Sequence, residues 1–126
     1  MSDDVTPEAA RRRLLSCDNA MTAAELDLRR ARDAEVDALH TYQASQRRAM
    51  LSKDRPKVTR GGWTVDERDA WVDDQAAGEQ RVADVARVRR ESAADHLRVV
   101  RDQGMLCMSL LRSLDATYAM AGRVNP

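Results

Sequence analysis

Apolar residues recur along this chain at alternating spacings of three and four over two long stretches, Leu14 to Ala49 and Val72 to Ala121. Between them lies one segment of breakers and bases, Arg55-Pro56-Lys57-Val58-Thr59-Arg60-Gly61-Gly62. Three-four alternation marks a helix with one apolar face, and two such helices around a single break are expected to fold back on each other. The fold class predicted is all-α, a long antiparallel helical hairpin or coiled coil forming one domain over residues 1–126. Its parts are a helix over about 7–54, a basic turn over 55–63 and a second helix over about 64–121.

Thr6-Pro7-Glu8 opens the first helix: Thr caps, Pro occupies the first helical position and Glu complements the dipole, which leaves Met1 to Val5 as a short tail. The stripe then runs Leu14, Cys17, Met21, Ala24, Leu28, Ala31, Ala38, Tyr42, Ser45 and Ala49, interrupted at Glu35, until Pro56 stops it. At about 1.5 Å per residue the helix is on the order of 70 Å long. Alternate stripe positions are small, which lets a partner backbone approach closely.

Thr64-Val65-Asp66-Glu67 has capping-box spacing and announces the second helix. Its stripe is Val72, Ala76, Ala83, Ala86, Ala93, Leu97, Val100, Cys107, Leu111, Leu114, Tyr118 and Ala121, with Gly122 as the expected stop. Gly78 and Gly104 fall inside it as candidate bends or points of close approach, with Gly104, before the Met-rich stretch, the preferred bend. Beside the stripe lie Val82, Val85, Val99, Leu106 and Leu110, more apolar surface than one hairpin partner covers. Self-association follows as an expectation: a homodimer or higher oligomer, most simply two hairpins in a four-helix bundle, with Val82, Val85, Leu106, Leu110 and Leu114 at the interface. The same pattern is compatible with a straightened loop and helices swapped between two chains. Glu35, Glu79 and Arg90 interrupt the seam and are read as setting its register.

Composition sharpens this picture. Phe is absent and the aromatics are Tyr42, Trp63, Trp71 and Tyr118, so the core must be built from Ala, Leu, Val and Met, as helix seams permit. The 21 basic and 21 acidic residues cancel, which removes the global charge of a general nucleic-acid binder and confines any such binding to a local patch. Only Lys53 and Lys57 among the basic residues are lysine, a bias expected of a GC-rich bacterial or bacteriophage genome. With no apolar run of transmembrane length and no secretory signal, the expected location is the cytoplasm, in the bacterium or in a phage host, with no membrane partner.

Candidate chemistry is sparse. Arg47, Arg48, Lys53, Arg55, Lys57 and Arg60 crowd a turn that ends at Trp63, and bases beside an aromatic can grip phosphates and stack on a nucleobase. The simpler reading is a solvated turn whose charge is neutralised by Asp66, Glu67 and Asp69. Three further Arg clusters, Arg11-Arg12-Arg13, Arg29-Arg30-Arg32 and Arg87-Arg89-Arg90, are interleaved with acids and read as solvated faces, helped by Glu8/Arg12, Glu25/Arg29, Arg87/Glu91 and Arg98/Asp102 pairs four residues apart. Asp37 and His40 have a metal-bundle spacing, but no second pair matches it, so no metal and no cofactor is expected. Folding about the turn places residues whose numbers sum to about 117 to 120 opposite each other by helix-pair geometry. Cys17 and Cys107 sum to 124 and so fall within a turn or two of each other, where they read as two buried thiols acting as small hydrophobes in a reduced compartment. No Ser/His/Asp set, cysteine nucleophile or phosphate-cradling glycine loop is present, and no enzyme is expected.

Trp63-Thr64-Val65-Asp66-Glu67-Arg68 opening a long Ala- and Arg-rich helix, with Ser109-Leu110-Leu111-Arg112-Ser113 near its end, resembles small helical-hairpin proteins of bacteriophage genomes. That resemblance implies an accessory role and transfers no catalytic residue. The chain is also similar to small secreted helical hairpins of actinobacterial secretion systems, but departs from them in carrying Gly61-Gly62-Trp63 where they have Trp-x-Gly, and Gly122 four residues after Tyr118 where they have an acid. The expected function is a non-enzymatic, self-associating hairpin that binds another protein, as a phage-encoded accessory or inhibitor. The alternatives are a nucleic-acid-binding accessory of replication or recombination using the basic tip, and a small secreted hairpin.

Overall fold

The computed structural model describes residues 6–124; the expected tail at residues 1–5 lies outside them. It is all-helical, with three helices in the order α1 (Pro7–Met50), α2 (Val65–Gln75) and α3 (Ala77–Val124). Two units divide the chain: residues up to Leu28 together with those from Ala93 onward, here the terminal unit, and Arg29–Ser92, here the tip unit.

Both predicted helix starts are built as their sequences imply. The Thr6 hydroxyl accepts from the Ala9 amide at 3.1 Å and its carbonyl from the Ala10 amide at 3.0 Å. Thr64, extended at φ −88° and ψ 165°, accepts from the Glu67 amide at 3.2 Å and donates to the Glu67 carboxylate at 3.3 Å. Other boundaries differ from expectation. α1 ends at Met50, four residues early, because Ser52 closes its own turn: the Ser52 amide donates to the Ala49 carbonyl, and the Ser52 hydroxyl accepts from the Asp54 amide. The second helix is two helices, broken at Ala76, whose amide donates back to Val72 at 3.2 Å while its backbone leaves the helical region. α3 runs uninterrupted through Gly104, the preferred bend position, and through Gly122, the expected stop.

In the terminal unit Ala24, Leu28, Leu97 and Val100 form a buried cluster, with Met21, Ala93 and Ala94 packed against it. Facing positions are antiparallel: Arg11 pairs with Asp115 and Glu25 with Arg101. These pairs sum to 126, not to the 117–120 expected from the turn. The count from the turn treats the second helix as continuous from residue 64, whereas the long helix facing α1 begins only after the break at Ala76.

In the tip unit Ser45, Ala49, Val72, Ala76, Ala83 and Ala86 are buried, as close packing of small side chains implies, whereas Ala31 and Ala38 of the same rhythm are only half-buried. Glu35 of α1 and Arg90 of α3, both read as seam interruptions, form an ion pair with each other. Their side chains are 19% and 33% exposed, so the pair sits at the edge of the seam and not out in solvent.

Candidate functional site

The tip is built around Thr59-Arg60-Gly61-Gly62. The Gly62 amide donates to the Thr59 carbonyl at 3.1 Å, and Gly61 has φ 81°, the left-handed geometry that the third position of a type II turn requires. A side chain at Gly62 would collide with the Thr59 hydroxyl. A backbone bridge joins Val58 to Trp63, and Pro56 is buried beneath the loop. This places Arg47, Arg48, Lys53, Lys57 and Arg60 in solvent, with Arg55 half-buried and Trp63 48% exposed.

Among the described residues none of those six basic side chains forms an ion pair. Two of the acids expected to neutralise them are otherwise engaged: Asp69 pairs with Arg68, and Glu67 accepts from Thr64. Elsewhere the arginines find partners the i,i+4 pattern did not give. Arg98 meets Asp95, three residues before it, and Arg101 reaches across to Glu25.

The five residues expected at an oligomer interface divide between the units. In the tip unit Val82 is 61% and Val85 45% exposed. They form one wall of an open groove of about 600 Å³ with Ala31, Ala34 and Ala38 opposite, and Arg30, Arg81 and Arg89 at its margins. Sequence reasoning did not find this groove. Its signal is the run of small residues Ala31, Ala34 and Ala38 opposite two valines, which leaves a trough where larger side chains would have filled the seam. In the terminal unit Leu106 is 71% exposed, Leu110 and Leu114 are half-buried, and Met105 and Val99 add to the uncovered apolar surface.

Cys17 and Cys107 depart from the reading as buried, offset thiols. They face each other with Sγ atoms 3.5 Å apart, unbonded and half-buried. The shift of register that brings Arg11 to Asp115 also brings Cys17 to Cys107. The Cys17 thiol is pushed above the usual thiol range, chiefly by its hydrogen bond with Cys107 and secondarily by burial.

Asp37 and His40 are exposed on α1, and among the described residues no three His, Cys, Asp or Glu side chains converge as metal ligands would. No helix among the described residues is long and apolar enough to cross a membrane. Compared with known proteins, the chain matches no family model, no curated sequence and no solved structure.

Proposed function

We propose that this chain is a non-enzymatic helical hairpin that works by contact, associating with a second copy of itself and presenting the assembled helices to another protein. The observation that carries this reading is the imbalance between its buried and its exposed apolar side chains. Among the described residues no buried hydrophobic residue is larger than Leu, and most are Ala. Meanwhile Val82, Val85, Val88, Val99, Met105 and Leu106, all on α3, are exposed by 45% or more. Burying a Val or Leu side chain contributes roughly 1.5–3 kcal/mol, so leaving these in water forgoes a stabilisation that a second copy would recover. Val85, Val99 and Leu106 also share one heptad position, and Val82 and Leu110 share another, the register a helix–helix seam uses. Two hairpins joined along this flank make a four-helix bundle.

The test is light scattering on the purified chain and on Leu106→Asp. Leu106 is largely exposed, so the substitution spares the fold while placing a charge in the proposed seam. The expected result is a dimer or higher mass for the native chain and half the mass or less for the variant, with helicity unchanged. An unchanged mass would count against the bundle.

A second reading rests on the unpaired basic tip with Trp63 half-exposed beside it, an arrangement suited to phosphates and a stacked base. It predicts that Arg55, Lys57 and Arg60 changed together to Ala abolish binding of labelled single-stranded DNA in fluorescence anisotropy without altering helicity. Binding by the native chain should also weaken steeply as salt rises. Anisotropy that stays flat for the native chain at low salt would remove this reading.

A further inference from the structure

We infer that Cys17 and Cys107 form a thiol pair that a small-molecule disulfide converts into an intrachain bridge, covalently joining α1 to α3 in the terminal unit. Three features carry this. The two sulfurs are already in contact at 3.5 Å, and a bond of about 2.05 Å needs a closure of under 2 Å, within reach of side-chain rotation and a slight approach of the helices. Both thiols are half-buried, not sealed. They open on a shallow cavity of about 350 Å³ lined also by Arg13, Ser16, Gln103 and Leu106. That cavity gives a small peptide disulfide a path to the sulfurs, with the Arg13 guanidinium to meet its carboxylates and Ser16 and Gln103 to hydrogen-bond its amides.

The exchange is a two-step displacement. One sulfur of the pair, as its thiolate, attacks a sulfur of the disulfide RSSR; the S–S bond of the small molecule breaks, one RS⁻ leaves and a mixed disulfide forms on the protein. The facing sulfur, deprotonated in its turn, attacks the protein sulfur of that mixed disulfide, the second RS⁻ leaves, and the Cys17–Cys107 bond closes. Two electrons pass from the cysteine pair to the small disulfide, and the two thiol protons end, through water, on the two released thiolates.

Each displacement requires a thiolate, which thiols furnish only in small part near neutral pH. Oxidation accordingly accelerates as pH rises. The bridge closes a long loop, which restricts the unfolded chain, and the thermal midpoint rises by roughly 5–10 °C.

The experiment treats the reduced full chain with oxidised glutathione, the probe, at neutral and mildly alkaline pH, and follows free thiols, intact mass and thermal unfolding. The expected product has lost two hydrogens and retains no glutathione, with both thiols lost together and the midpoint raised until dithiothreitol reverses it. Cys17→Ser, with far-UV circular dichroism to verify its fold, is expected to stop at a single glutathione adduct on Cys107. Stable glutathione adducts on the native chain would overturn the inference. So would a cross-link between two chains, or no reaction under conditions where the denatured chain reacts.

Discussion

Replacing Leu97 with alanine is expected to lower the unfolding free energy by about 3 kcal/mol. Leu97 is 5% exposed and is one of two buried leucines in a cluster otherwise made of Ala24, Val100 and partly buried neighbours. Its methyl groups are therefore a large fraction of what that unit buries. Ala24, 1% exposed, already brings α1 close, so the surroundings cannot collapse further to fill the vacated space. Against a typical total of roughly 5–15 kcal/mol the loss is substantial, and it appears as a lower guanidinium midpoint with an unchanged slope. Val99→Ala, two residues away and 53% exposed, is the internal comparison. In an isolated chain it costs within about 0.5 kcal/mol. A cost that approaches that of Leu97→Ala, and grows with protein concentration, would report that a second copy covers the flank. A Leu97→Ala midpoint equal to that of the native chain would show that this cluster does not hold the terminal unit together.

The helices themselves were legible because their signals are local. The Thr6 and Thr64 caps depend on side chains within three residues of the amides they meet, and the three-four periodicity marks the faces that are buried: Ala24, Leu28, Ser45 and Ala49 on α1, Ala83, Ala86, Leu97 and Val100 on α3. The break at Ala76 was legible only in part, through Gly78 two residues on, a candidate bend ranked below Gly104. Asp73-Asp74-Gln75-Ala76-Ala77 contains no proline or glycine, and Ala76 is itself the strongest of helix formers. Gly104, a poor helix former, does not interrupt α3, which continues past it. Local propensity is worth about 1 kcal/mol at such a position, less than the packing that decides where a long helix is interrupted.

The candidate sites show the same division. Exposure of the basic tip and of Val82, Val85 and Leu106 follows from where the stripes leave off, and periodicity alone located them. The Cys17–Cys107 contact depends on register, and register depends on where the facing helix starts. An offset of a few residues in that origin separated two thiols on paper that lie 3.5 Å apart in the fold. The Ala31, Ala34 and Ala38 groove was missed for a related reason: small residues on a stripe fit both a tight helix contact and an unfilled trough, and only the residues opposite decide between them.

The ion pair of Glu35 with Arg90 is the second large effect, and it tests whether polar interruptions set the register of the seam. Arg90→Leu alone is expected to cost about 2 kcal/mol, because it leaves the Glu35 carboxylate, 19% exposed, without its partner. Glu35→Leu alone costs less. Arg90 is 33% exposed, retains Glu91 within 3.9 Å and can swing its long side chain into water. With both changed to Leu the two apolar side chains pack together, the stability returns to near the native value, and a double-mutant cycle gives a coupling of about 1.5–2 kcal/mol. What the double variant loses is alignment. An apolar pair at this level accepts neighbouring registers that a partly buried carboxylate and guanidinium penalise, so its seam is free to slip by a heptad. That slip is readable within the same unit, with Cys17 and Cys107 changed to Ser, through the rate at which cysteines introduced at Ala38 and Val82, which line one cavity, become cross-linked by a short bifunctional thiol reagent. A rate at least several-fold lower in the double variant, at native-like stability, is the outcome that register control requires. An equal rate would reduce the pair to a contributor of stability alone.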